Sequence, residues 1–84
     1  MTRLAPYRPI SCDFHDVLEA TATRRASATI EYLTPAGRQA RAYARIADIV
    51  TRRDGEYLIL ASGEAIRLDR VVSVDGVRRG AFHD

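Results

Sequence analysis

Residues 38–46 read RQARAYARI and alternate without a break, with Ala40, Ala42, Ala44 and Ile46 at one parity and Gln39, Arg41, Tyr43 and Arg45 at the other. A period of two marks a strand with one face buried and one in water, because successive side chains point to opposite sides of the pleat. An inner row of alanines suits an interior where the walls of a sheet curve close together, as in a small barrel. The same period runs through SATIEYL, where Ala28, Ile30 and Tyr32 share one face and Thr29, Glu31 and Leu33 the other. Thr34-Pro-Ala-Gly37 between the two runs is a turn, since proline presets φ and glycine tolerates the exit.

Farther on, ADIV leads to RRDG (52–55), whose Asp-Gly pair signals a hairpin. EYLILA, AIRL and RVVSV supply three more short strands, with SGE as a turn between the first two. The expected architecture is mainly β: a strongly bent, five-stranded antiparallel barrel over residues 26–75. A polar tail over 76–84 is expected to be mobile.

The N-terminal part has a different rhythm. Pro6 and Pro9 hold residues 1–11 extended, since proline disfavours helix at the residue before it. Beyond them, Phe14, Val17, Leu18 and Thr21 fall on one side of a helical wheel, with Asp13, Asp16 and Glu19 nearly opposite. The spacing predicts an amphipathic helix over 13–23, with Asp13 as N-cap and Asp16 where the capping-box glutamate would stand. Its apolar side is expected to cover one open end of the barrel.

At 84 residues the chain is a single domain near the lower limit for one hydrophobic core. So small a core leaves little room for a deep catalytic cleft. A lone cysteine excludes an internal disulfide and suits a reducing cytoplasm. There is no apolar run of membrane-spanning length and no signal-peptide core at the start. Thirteen basic against eleven acidic residues give a net charge of +2, too small to name a partner.

Cys12, Asp13, His15, Asp16 and Glu19 crowd donor atoms into one stretch, which raises the question of a metal. His15 and Glu19 make an i,i+4 pair but supply only two ligands, where a structural zinc site takes four rich in sulfur and imidazole. No metal or cofactor is expected. The acids lie on the solvated side, so nothing drives their pKa values apart as a carboxylate dyad requires. Cys12 reads as a half-buried small hydrophobe, and no Gly-rich phosphate loop or GxSxG is present. An enzyme, and with it a small-molecule substrate, is not expected. Two binding readings stay open on pattern alone. Arg41, Tyr43 and Arg45 offer guanidinium charge beside an aromatic platform for single-stranded RNA. Asp13, Asp16 and Glu19 form a negative block about two turns long that fits a basic groove.

Several spaced blocks carry a resemblance. YRPISCDFHDVLEA is similar to the opening of the Rho-binding antiterminator family (Rof), through Tyr7, Pro9, Ile10, Cys12, Asp13, Asp16, Leu18 and Glu19. The similarity continues through ADIV with its following basic pair, EYL at 56–58 and IRLDRVVS at 66–73. It implies a bacterial cytoplasmic protein with an Sm-like barrel behind an N-terminal helix. It implies binding to the OB-fold domain of transcription termination factor Rho, at the primary RNA-binding site, so that RNA loading and termination are hindered. Asp13, Asp16 and Glu19 are then the helix contacts, and Arg52, Arg53 and Asp54 a second contact region. Members of that family tend to be acidic, whereas this chain is +2, so mimicry of RNA charge would be local to the helix.

Overall fold

A computed structural model describes residues 6–81. Its elements in chain order are helix α1 (Cys12–Arg24), strands β1 (Ser27–Leu33), β2 (Gln39–Arg52), β3 (Gly55–Leu60) and β4 (Ala65–Arg67), a 3₁₀ turn (Leu68–Arg70), strands β5 (Val71–Val74) and β6 (Val77–Arg78), and a second 3₁₀ turn (Arg79–Ala81). The strands form one antiparallel sheet in the order β4-β3-β2-β1-β5-β6.

The expected N-cap is corrected. Ser11 caps the helix, its Oγ accepting the Phe14 N–H at 3.1 Å, so α1 begins one residue earlier than its acids suggested. Asp13 then sits in the first turn, where a negative charge faces the positive end of the helix dipole. At the other end Arg25 turns left-handed (φ 57°) and its N–H closes on the Ala22 carbonyl. Thr21 and Thr23 bond back to the carbonyls four residues earlier, which removes two hydroxyls from competition for water.

The expected alternation of β2 is present in its first half. Arg41, Tyr43 and Arg45 are exposed, Ala42 and Ala44 pack against the core, and Ile46 is buried. β2 is longer than expected because it absorbs ADIV and Thr51-Arg52 into one fourteen-residue strand. A bulge makes this possible. Ile46 pairs with Leu60 and Asp48 with Ile59, leaving Ala47 unmatched. The extra residue switches the core-facing parity, so Ile46 and Ile49 both reach the interior. Asp48 steadies the bend by accepting the Ile49 N–H at 2.8 Å. The first half of β2 pairs with β1 and the second with β3.

The sheet has six strands rather than five and is not closed into a barrel, which corrects the sequence expectation. The physical reason lies in the segment read as a tail. Val77 and Arg78 form β6 on the edge of β5 that β1 leaves free, which is the edge a closing strand would need. The stretch from Gly76 to Ala81 is thus largely strand and 3₁₀ turn; residues 82–84, with His83, lie outside the described residues. Even so, the sheet is curled. A three-residue link joins β4 to β5, although three strands stand between them in the hydrogen-bonded order. In a flat sheet those strands would be about 19 Å apart, at ~4.8 Å per neighbour. Four Cα steps reach at most about 14 Å, and less through a 3₁₀ turn. The sheet must therefore bend back upon itself.

Inside the curl lie Ala28, Ile30, Ile46, Leu58, Leu60, Ile66, Leu68, Val71 and Val74. Helix α1 packs on β2 and completes this core with Phe14 and Leu18, both fully buried, while Val17 packs against its margin. The buried side of the helix is therefore the one the helical wheel indicated. No described helix is long and apolar enough to cross a membrane.

Truncation should separate packing from capping. Leu18→Ala should lower the free energy of unfolding by about 2–5 kcal/mol, and Ser11→Ala by about 0.5–2 kcal/mol. Urea unfolding followed by circular dichroism measures both.

Candidate partner-binding surface

Burying Phe14 and Leu18 leaves the opposite side of α1 in water. Asp13, Asp16 and Glu19 are all exposed there, and among the described residues Asp13 and Asp16 hold no ion pair. Glu19 is engaged more loosely, its Oε1 lying 3.6 Å from His15 Nδ1. The other imidazole nitrogen, Nε2, is 3.1 Å from Glu56 Oε2 on β3. His15 therefore bridges two carboxylates from different elements and ties α1 to the start of β3. The sequence reading gave His15 no such role, because its partner lies 41 residues away.

Donor atoms of His15, Asp16 and Glu19 all lie within 4.8 Å of one another. That is one more ligand than spacing alone offered. It is still a single imidazole among mainly exposed carboxylates, with both of its nitrogens already facing acids. Cys12, expected to be half-buried, is exposed in the first turn of α1.

An open groove of about 420 Å³ runs beside this helix side, lined by Tyr7, Pro9, Ile10, Cys12, His15, Asp16 and Glu56. The N-terminal segment forms its far wall, and Gly55 explains how that segment is seated. Gly55 has φ 138°, and a β-carbon there would stand 2.7 Å from the Tyr7 ring. Only glycine leaves room for the tyrosine to approach the hairpin this closely. Burial, then the charges of Glu56 and Asp69, raise the Tyr7 phenol above its ordinary pKa.

The second predicted contact region is the β2–β3 hairpin. Arg53 and Asp54 form a two-residue link between Arg52 and Gly55. Arg52 lies over the Tyr57 ring, 4.7 Å from its centroid, and Asp54 accepts the Tyr57 hydroxyl hydrogen bond at 2.8 Å. Tyr57 thus holds both ends of the turn, while Arg53 projects into water without an ion pair among the described residues. The helix acids and the hairpin were 33 or more positions apart in the sequence. His15–Glu56 and Tyr7–Gly55 bring α1 and the start of β3 to one groove, lined by Asp16 and Glu56 but not by Arg52, Arg53 or Asp54.

Beneath this surface lies a charge pair that sequence reading missed. Arg67 is buried, and its guanidinium grips Asp69 in a two-pronged bond, Nε to Oδ1 at 2.7 Å and one terminal nitrogen to Oδ2 at 3.0 Å. That bond holds the Arg67 pKa above its usual value. Asp69 also accepts the Arg8 N–H at 3.1 Å, and its carbonyl accepts from the Arg79 guanidinium. Removing one partner of a buried pair of this kind typically costs about 3–5 kcal/mol.

The alternative set, Arg41, Tyr43 and Arg45, lies on the outer face of β2. It does not join the groove: Ala42 and Ala44, between these residues, point to the core that holds Phe14 and Leu18. The row thus lies on the side of β2 that points away from the core against which α1 packs.

No protein-family model matches the chain, and no curated protein matches it at a significant level.

The tyrosine that holds the hairpin has a testable titration. Burial first, and the Asp54 hydrogen bond second, raise the Tyr57 pKa above 10.0. A raised pKa means the folded state keeps its proton longer than the unfolded chain. The stabilisation is therefore complete below pH 10.0 and is lost as pH rises through the higher folded value. Stability should decline between pH 10.0 and that higher value, and Tyr57→Phe should flatten the decline. Unfolding midpoints measured across the alkaline range would show it.

Proposed function

We propose that the protein inhibits transcription termination factor Rho by occluding its primary RNA-binding site. The observation that carries this reading is a negatively charged helix side anchored by a fully buried one, with Asp13 and Asp16 exposed and unpaired among the described residues. A groove on Rho that binds RNA is basic, and a fixed row of carboxylates is complementary to it. The blocks at 7–19, 47–58 and 66–73 that resemble the Rho-binding antiterminators support the same partner. In this reading the sheet is Sm-like, with β6 occupying the edge at which a barrel would close, and the setting is the bacterial cytoplasm.

The division of labour follows from the geometry. The core holds α1 in place, so little conformational entropy is lost when its acids meet a partner. Asp13, Asp16 and Glu19 supply the charge, and Glu56 extends it across the groove. Arg53 on the hairpin reaches a different part of the partner, while Arg52 and Asp54 hold the turn in shape through Tyr57. RNA cannot then enter the occupied site.

Charge reversal tests this directly. Asp16→Lys places a cation against the basic groove and should weaken Rho binding roughly tenfold or more. Its exposed position should leave the unfolding midpoint nearly unchanged. Affinity of the wild-type chain should also fall with ionic strength as the Debye length shortens from about 30 Å at 0.01 M to about 8 Å at 0.15 M. Titration calorimetry with purified Rho measures both effects. An Asp16→Lys variant that binds Rho as the parent does, at low salt, rules this mechanism out.

A further inference from the structure

Of the four tyrosines, three are accounted for by the fold. Tyr7 lies on Gly55, Tyr32 donates its hydroxyl to Glu64 at 2.9 Å, and Tyr57 holds the hairpin. Tyr43 is different. It is 74% exposed, the largest exposure of any large hydrophobic side chain among the described residues, and no hydrogen bond or cation contact there involves it.

Its neighbours leave the ring open and make it positive. Arg41 and Arg45 stand two residues to either side on the same face, about 6–7 Å away along the strand. Across the ladder on β1, Thr29 faces Tyr43 and Ser27 faces Arg45. Both partners are short, so neither covers the ring. Asp75, whose Oδ1 accepts the Thr29 N–H at 2.8 Å, borders this face, and on it, opposite Arg41, stands Glu31. Its carboxylate is already occupied, accepting the Ser73 hydroxyl at 2.8 Å, with Arg41 at 3.5 Å and Arg78 near by. The Ser73 bond and these arginines keep its pKa low. An exposed pair such as Glu31–Arg41 is worth little, so Arg41 is free to leave it for another anion.

We infer that this outer face of β1 and β2 binds single-stranded nucleic acid, with one base stacked on Tyr43 and flanking phosphates held by Arg41 and Arg45. An open aromatic face between two guanidinium groups is the chemistry that single strands take, since every base presents a π-face and every linkage a negative charge. A duplex keeps its bases stacked on one another and has none to offer the ring. The acids of α1 are not part of this row, because the helix packs against the core-facing side of β2. The inference stands apart from the Rho proposal, as the two use different residues.

Fluorescence anisotropy of labelled oligouridylate and oligothymidylate, titrated with the whole chain at low salt, tests it. Binding to both strands assigns the surface to single strands generally, and binding to one assigns it to RNA or to DNA. Tyr43→Ala should weaken binding about 5- to 150-fold, the loss of one stacked base, while Tyr43→Phe keeps most of the affinity. Replacing Arg41 and Arg45 together by serine should reduce the slope of log affinity against log salt by about 1.4, or ~0.7 for each phosphate released. Asp16→Lys should not weaken it. Failure of the wild-type chain to bind either oligonucleotide overturns the inference. So does undiminished binding by Tyr43→Ala, or an equal loss with Tyr43→Phe.

Discussion

Three residues between β4 and β5 impose the constraint on which the rest of the structure depends. Leu68–Arg70 must return the chain across a sheet four spacings wide, and it can do so only if the sheet curls. The bulge at Ile46–Asp48 supplies the bend in β2, and the Arg67–Asp69 pair secures the link itself. The same aspartate gathers the backbone of Arg8 and the side chain of Arg79, so both ends of the described chain meet at this point. Leu68, buried within the link, joins the core directly. Structure far apart in sequence is thus pinned around one buried ion pair, and the curl it secures makes a core that one helix can finish.

Finishing the core with α1 also sets the electrostatics. A helix that buries Phe14 and Leu18 must present Asp13, Asp16 and Glu19 outward, and a strand that buries Ala42 and Ala44 must present Arg41, Tyr43 and Arg45 outward. A chain of net charge +2 is therefore sorted into an acidic helix side and a basic strand row. Whole-molecule charge would suggest neither surface. The sorting comes from two periodicities, 3.6 on the helix and 2 on the strand, applied to the same core.

Those periodicities were legible in the sequence, and with them the helix, its buried side, five of the six strands and the outward row on β2. Features set by contacts distant along the chain were not. His15 to Glu56 spans 41 residues and Arg8 to Asp69 spans 61, and no local pattern marks either pair. Arg67 looked like one more polar residue in a short strand, because nothing nearby announces that a guanidinium will be buried. Asp13 was a reasonable N-cap by residue type, yet Ser11 has the same capping chemistry two positions earlier and takes the role. β6 was missed because two residues carry no period at all. Its pairing on β5 is also why an open, curled sheet is found where the alanine row of β2 suggested a barrel. The proposed Rho partner rests on the resemblance at 7–74 together with the acid helix side, and a direct experiment tests it.

That experiment is displacement. Labelled single-stranded RNA bound to the primary site of Rho should be released as the chain is added, and the Tyr43→Ala form should be used so that the chain does not take up the RNA itself. The account predicts saturable release that disappears when Asp13, Asp16 and Glu19 are neutralised together. RNA that stays on Rho at saturating chain, or equal release by the neutralised variant, would contradict it.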